Sequence, residues 1–443
     1  MLKKALARSA RATTGLLGSA ATSLPFRRMQ STCVTGTVAK FPGAVAAYTD
    51  DLALTMPTPG IPIYRVTDND GAVIKPNYTI KHSNDELVKM YKTMVRLNNL
   101  DKVFYDAQRQ GRISFYMTSF GEEATHIGCA SALSMDDVIL AQYRETGVLM
   151  WRGFTLPNFA HQCFGTHYDL GKGRQMPVHY GSRALNFHTI SSPLATQLPQ
   201  ATGVAYALKR ANKKAVSVCF FGEGAASEGD FHPALNFAST LDCPVIFFCR
   251  NNGYAISTPS SDQYRGDGIA GRAAGYDIRA IRVDGNDLLA VHDATKYARD
   301  YALANNRPVF VEAMSYRAGH HSTSDDATRY RSAEEIAYWQ TQNNPLIRTR
   351  KLLESKGLWD EVREAEEHNN ARKDVLAALA DAENTKKPAL SQLFEDVYAE
   401  MPHHLQDQKA EWEAHIAKYG QNYALGDFQP EDQYANPGKL VQE

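Results

Sequence analysis

The sequence predicts an α/β fold: a mostly parallel central sheet flanked by helices, with an N-terminal arm and a C-terminal helical extension. Three observations carry this. Two short apolar runs, Val216–Phe221 and Val245–Cys249, are joined by one segment of helical periodicity, the spacing of a parallel strand–helix–strand unit. Further apolar runs at Val138–Ala141, Ala280–Val283 and Val309–Met314 are each followed by polar or turn-forming residues. Beyond Ser332 the chain becomes charged and helix-patterned to about Tyr419.

The elements follow in order. The first 49 residues contain no Asp or Glu, yet carry Lys3, Lys4, Arg8, Arg11, Arg27, Arg28 and Lys40 among Ser, Thr and Ala. Such an acid-free basic leader reads as an organellar transit peptide over residues 1–30, which points to the mitochondrial matrix. Residues 31–80 read as an extended arm, and residues 81–330 as the α/β domain. A helix is signalled from Ser83: a cap, Glu86 three residues on, then Leu87, Met90, Tyr91, Met94 and Leu97 on one face. Residues 121–170 look helical around the strand Val138–Ala141, and Gly171–Ser192 reads as a long loop. A helix is expected over 193–210, capped by Ser and opened by Pro193. In the strand–helix–strand unit the helix is Phe231–Leu241, with Phe231, Ala234, Leu235, Ala238 and Leu241 in register. Residues 331–425 read as a helical region, and 426–443 as a flexible tail.

Composition excludes several classes. A net charge of −1 gives no footprint for nucleic acid. No apolar stretch approaches the ~18 residues that span a bilayer. The six cysteines, at 33, 129, 163, 219, 243 and 249, form no Cys-x-x-Cys pair, and three lie in or beside buried-strand runs, as in a reducing compartment.

The chemistry gathers where strands end. Parallel strands emerge on one edge, and open α/β sheets bind ligands there. Glu223 follows the first strand of the unit and Asn252 the second, two hard oxygen ligands suited to a magnesium ion that also holds phosphate oxygens. Gly222 and Gly224 would let backbone approach a phosphate closely, and Arg250 would pair with the same anion. Competing nucleotide motifs fail: the next glycine after Gly224 is Gly229, too distant for a dinucleotide fingerprint. The stretch ending in Gly171-Lys172-Gly173 has the wrong glycine spacing for a triphosphate loop and lacks Ser or Thr after its lysine. Ala141-Gln142-Tyr143-Arg144-Glu145 follows another strand, and Arg144 is a planar donor suited to a diphosphate. Ser191–Gln197 clusters hydroxyls and carbonyls able to hold a monovalent cation, or simply starts a helix. Tyr316–Asp326 contains His320 and His321 after the strand Val309–Met314, a pair that suits proton donation or phosphate contact better than zinc.

Gly222-Glu223-Gly224 followed, after 26 residues, by Asn251-Asn252 resembles the thiamine diphosphate motif, with Glu in place of the more common Asp. Together with Arg250–Pro259 and Gly319–Asp326, it resembles the alpha subunits of the mitochondrial branched-chain 2-oxoacid dehydrogenases, over about Ile61 to Phe428. The pyruvate dehydrogenase alpha subunits are a related alternative, and a non-catalytic organising subunit a distant one. The resemblance implies a thiamine diphosphate-binding fold and oxidative decarboxylation of branched-chain 2-oxo acids, with reductive acylation of a lipoyl group. It implies magnesium at Glu223, Asn252 and the Tyr254 carbonyl, and potassium at Ser191, Pro193, Thr196 and Gln197. Cofactor contacts would come from Gln142, Tyr143, Arg144, Ser192, Leu194, Gly222, Glu223, Gly224, Ala225, Arg250 and His321, the last also catalytic. Ser322 and Ser332, in a phosphorylation loop 317–332, match the family's modified positions; Ala327-Thr328-Arg329 departs from a more serine-rich stretch. The implied partners are a beta subunit in an α2β2 heterotetramer, a lipoyl-bearing transacylase core, and a dedicated kinase and phosphatase.

Overall fold

Seven parallel strands form one sheet, and their order explains where the chemistry collects. The computed structural model describes residues 60–430, together with Leu52 and Leu54. The expected transit peptide, most of the expected arm before residue 60 and the expected tail beyond 430 lie outside the described residues. The chain divides into two units, Met1–Pro57 and Thr58–Glu443, and every element below belongs to the second. The strands are β1 (Ile63–Tyr64), β2 (Val138–Leu140), β3 (Phe187–His188), β4 (Ser217–Gly222), β5 (Val245–Asn251), β8 (Arg279–Asp284) and β9 (Val309–Met314). Their spatial order is β1-β8-β9-β5-β4-β2-β3. A separate hairpin pairs β6 (Tyr254–Ala255) with β7 (Thr258–Pro259).

The central strands are continuous apolar runs because helices cover both faces. Along β4, Val218 and Phe220 enter one core while Cys219 and Phe221 enter the other. Ile246 and Phe248 alternate with Phe247 and Cys249 along β5 in the same way. The first core is closed by α1 (Asn84–Arg109), α2 (Glu123–Ser131), α3 (Thr146–Trp151), α4 (Leu156–Phe164), α8 (Leu288–Asn305), α10 (Pro345–Ser355) and α11 (Glu361–Glu383). The second is closed by α5 (Gln197–Arg210), α6 (Phe231–Thr240) and a 3₁₀ segment, Ala270–Tyr276. A short α7 (Ser260–Gln263), α9 (Ala333–Thr341) and α12 (His403–Tyr419) bury no residue in either core. The capping box expected at Ser83 is present: its hydroxyl accepts from the Glu86 amide, and Glu86 accepts from the Ser83 amide.

Three elements differ from expectation. The helix expected from residue 193 starts at Gln197, because Ala195 sits at φ 69°, in the left-handed region that interrupts a helix. The loop 171–192 contains the edge strand β3, too short to show a period. Part of the arm is integral to the sheet: β1 pairs with β8, and the Val66 and Thr67 amides both donate to Asp287 Oδ2. Residues at the start of the expected tail are also tied down, with the Lys387 amide donating to the Asp427 carbonyl and the Gln429 amide to that of Lys387.

From β2 the chain runs outward to β3, whereas from β4 it runs the opposite way to β5. The carboxyl ends of β2 and β4 therefore flank the point where strand order reverses, where open sheets leave a crevice. Gln142–Glu145 leave β2 there, and Glu223 leaves β4.

Candidate functional site

Beneath the crevice lies a buried charge cluster. Arg250, near the end of β5, is 2% exposed. Its Nε donates to Glu145 Oε1 at 2.6 Å and its Nη1 to Glu122 Oε2 at 2.7 Å. Nη2 has no partner among the described residues. Burial alone would raise the Glu122 carboxyl, but Arg250, Arg144 and the Asn252 amide hold it down at about 2. Glu122 therefore stays ionised, and it opposes the guanidinium in a site with almost no water to do so.

Above this cluster sit the two residues expected to bind a cation. The Glu223 Oε2 accepts weakly from the Asn252 amide at 3.3 Å, while Oε1 is buried with no partner. Burial pushes the Glu223 carboxyl up to about 7. An orphaned, buried carboxylate oxygen is what a hard cation satisfies. Asn252 Nδ2 donates to Glu122 Oε1 at 3.0 Å, which leaves Oδ1 turned toward the loop, where it accepts from the Tyr254 amide at 3.3 Å. Among the described residues no three His, Cys, Asp or Glu side chains cluster as a metal site. A cation here would draw its remaining oxygens from a carbonyl and from phosphate, as magnesium does.

The two glycines differ. A Cβ on Gly222 would meet nothing closer than Gln142 Oε1 at 3.7 Å, so the protein itself leaves room there. A Cβ on Gly224 would strike the Ala255 Cβ at 2.9 Å, so that glycine serves packing against the β6 end. The Gly222 amide donates to Gln142 Oε1 at 2.8 Å, and the Gln142 amide to Glu145 Oε2 at 2.8 Å, which ties β2 to β4 across the crevice. Ala225 is buried in the 3₁₀ turn Glu223–Ser227.

Arg144 and His321 meet at one rim. Arg144 Nη1 donates to the Thr118 carbonyl at 2.6 Å, and Nη2 to the His321 carbonyl and, at 3.3 Å, to its Nδ1. Arg317 Nη1 lies 3.5 Å from the same Nδ1. Burial and these two guanidinium groups push the His321 imidazole down to about 3, so it is neutral and accepts at Nδ1. Tyr143 sets its ring edge-on to His321, centroids 6.3 Å apart. The loop is closed by its own bonds: Asp325 accepts from the His321 amide and from Tyr330, while Arg331 reaches the carbonyls of Arg317 and Gly319. Ser322 lies within it, and Ser332 caps α9 by accepting from the Glu335 amide.

The remaining cluster stands apart in its bonding. Ser191, Ser192, Pro193 and Leu194 are exposed, and Ser192 donates to His179 Nε2 at 2.7 Å. Thr196 donates to the Pro193 carbonyl, and Gln197 Nε2 to the Phe220 carbonyl on β4. Sequence reasoning missed Glu122 altogether and assigned Glu145 no part. An acid ahead of a helix is ordinarily a solvated N-terminal charge, so neither carried a signal.

Residues 91–391 match the family described as dehydrogenase E1 component. The chain is 54% identical over 410 residues to the mitochondrial 2-oxoisovalerate dehydrogenase subunit alpha of Macaca fascicularis, covering 92% of each. It is 55% identical over 383 residues to the Caenorhabditis elegans protein of the same name, covering 86% of this chain and 89% of that one. To subunit alpha 1 of Arabidopsis thaliana the identity is 53% over 388 residues, covering 87% and 82%.

Proposed function

The chain belongs to the dehydrogenase E1 component family, and from that premise we propose what its individual residues do. Its activity is that of the alpha subunit of the branched-chain 2-oxoacid dehydrogenase: thiamine diphosphate-dependent oxidative decarboxylation of branched 2-oxo acids, with acyl transfer to a lipoyl group. As an alpha subunit it works with a beta subunit and the other members of a mitochondrial complex. The single observation that carries the residue assignment is the unpartnered Glu223 Oε1 beside Asn252, at the point where strand order reverses.

Glu223, Asn252 and the Tyr254 carbonyl would hold magnesium, which would help neutralise the diphosphate. Arg144 and His321 contact that diphosphate from the loop rim, joined by Arg250 through its Nη2; Gln142, Gly222, Gly224 and Ala225 line the floor. Ser192 and Leu194 meet the aminopyrimidine end with Tyr143, and potassium at Ser191, Pro193, Thr196 and Gln197 stiffens their turn. Thiamine diphosphate, when bound, would supply a nucleophilic carbon for the ketone and a cationic ring able to take up the electron pair left by carbon dioxide. This chain orients the cofactor and, with His321 neutral, offers a nitrogen that can pass a proton near the reacting carbon. The acid-free leader directs the chain to the matrix.

Ser322 and Ser332 are the regulatory positions, addressed by a dedicated kinase and phosphatase. A phosphate on Ser322 adds about −1.5 to −2 charges beside the cofactor diphosphate. At ~6 Å and an effective dielectric of ~20, each unit pair costs about 3 kcal/mol, enough to open the loop. Full complex activity in a Ser322→Glu variant would count against this.

The test of the substrate assignment is decarboxylation by the complex co-expressed with its beta subunit, supplied with thiamine diphosphate and magnesium. Turnover of 3-methyl-2-oxobutanoate well above pyruvate is expected. Preference for pyruvate would move the chain to the sister complex, with the same cofactor chemistry.

A further inference from the structure

Glu122 is not a ligand in the site described above, yet both hydrogen bonds of its side chain lead there, with His126 Nε2 3.8 Å from Oε2. One carboxylate oxygen receives Arg250 Nη1, and the other receives Asn252 Nδ2 at 3.0 Å. The side chain is 1% exposed, so no water competes for either oxygen. An ionised carboxylate only accepts. The side-chain amide of Asn252 has two ends of nearly equal shape, one a donor and one an acceptor. Facing an obligate acceptor, it must present Nδ2 and turn Oδ1 away.

We propose that Glu122 is a positioning residue that fixes the amide orientation of Asn252, so that Oδ1 and not Nδ2 faces the divalent cation. This rests on the reading of Glu223 and Asn252 as cation ligands. Arg250 holds Glu122 in place, and Glu145 holds Arg250 from its other side at 2.6 Å. The chain of support therefore runs from the residues after β2, through the end of β5, to the start of α2. Outer groups that orient a ligand commonly change metal affinity 10–100-fold when removed.

Glu122→Gln is nearly isosteric and separates the possibilities. Gln can offer its oxygen to Asn252 only by turning its own NH2 against the Arg250 guanidinium, donor against donor. Turned the other way it presents NH2 to Asn252 and favours the flipped amide. Manganese binding to the assembled alpha–beta complex, with thiamine diphosphate present, is read by electron paramagnetic resonance and needs no turnover. Glu122→Gln is expected to weaken manganese about 10-fold. Glu145→Gln, which removes the other carboxylate from Arg250 without touching Asn252, is expected to stay within about 3-fold of wild type. Wild-type affinity in Glu122→Gln overturns the proposal, as does an equal loss in both variants, which would place the effect in Arg250. Glu223→Gln tests the underlying reading: if it too leaves manganese binding unchanged, the cation site itself falls. If it abolishes binding while Glu122→Gln does not, only the role of Glu122 falls. Should Glu122→Gln fail to assemble, Glu122→Asp decides: it keeps a carboxylate for Arg250 but draws it back by one methylene from Asn252, and unchanged manganese affinity in it overturns the proposal.

Discussion

Arg250 lies between two carboxylates in a site that excludes water, and the cost of removing it follows from that placement. Arg250→Met keeps most of the volume but leaves the buried Glu122 and Glu145 side chains without the guanidinium that bonds both. Breaking a buried pair from one side costs about 3–5 kcal/mol, because the charge left behind is neither solvated nor opposed. Chemical denaturation of the assembled complex should show a loss of that size. The exposed pair of Lys296 with Asp300 on α8 gives the contrast, since water solvates both partners whether or not they meet. Lys296→Ala should move stability by less than about 1 kcal/mol in the same experiment. At this scale the sequence was informative where chemistry imposes spacing. Glu223 and Asn252 were legible because a parallel unit delivers both strand ends to one edge. Glu122 was not, since it reaches the site across 130 residues of chain, and no local pattern encodes that contact.

The loop between β9 and α9 is the element on which pH should act. His321 faces Arg144 from the segment after β2, with Arg317 and Asp325 from its own loop and the Tyr143 ring alongside. Its folded pKa, about 3, lies below the ordinary 6.5. A depressed histidine contributes stability that is full above 6.5 and is lost as pH falls from there toward 3, because protonation sets a third cation against two guanidinium groups. Hydrogen exchange in residues 317–331 of the cofactor-free complex should therefore accelerate between pH 7 and pH 5, roughly the window where the imidazole of the opened loop takes up its proton. A His321→Gln variant should flatten that dependence, and an unchanged profile in the variant would assign the effect elsewhere. At the far end of the loop, α9 has no buried residue and depends on its cap, on Tyr316 stacked on Trp339 at 5.0 Å, and on Tyr254 bonded to Glu335. Ser332→Ala should loosen it by about 1 kcal/mol, read as faster exchange over 333–341 alone. Strands buried on both faces and the Ser83 cap were legible at this scale, because period and capping chemistry are local. The edge strands β1 and β3 were not: with two residues each they have no period, and they exist only because a neighbouring strand offers free backbone groups.

Over the whole molecule, the crevice where strand order reverses opens at the carboxyl edge of the sheet. Leu194 and Ile256, 39% and 53% exposed, stand by its residues without a covering element among those described. On the outer side of α5 and α6, Tyr206, Phe237 and Leu241 are exposed as well. Scattered apolar side chains on a surface mean little, but apolar groups beside a crevice that must exclude water for its chemistry require something to cover them. The relatives are named as alpha subunits, and a partner subunit is the cover we expect. The expectation is that the alpha chain expressed alone self-associates in sedimentation and retains no more than a trace of decarboxylation. With the beta subunit it should sediment as a defined heteromer of two copies of each and regain both activity and cofactor retention through gel filtration. A monodisperse alpha chain that decarboxylates at the complex's rate would contradict this. The branched side chain of the substrate has no legible counterpart in this sequence: the motif points to the cofactor and the reaction, while the substrate follows from the relatives.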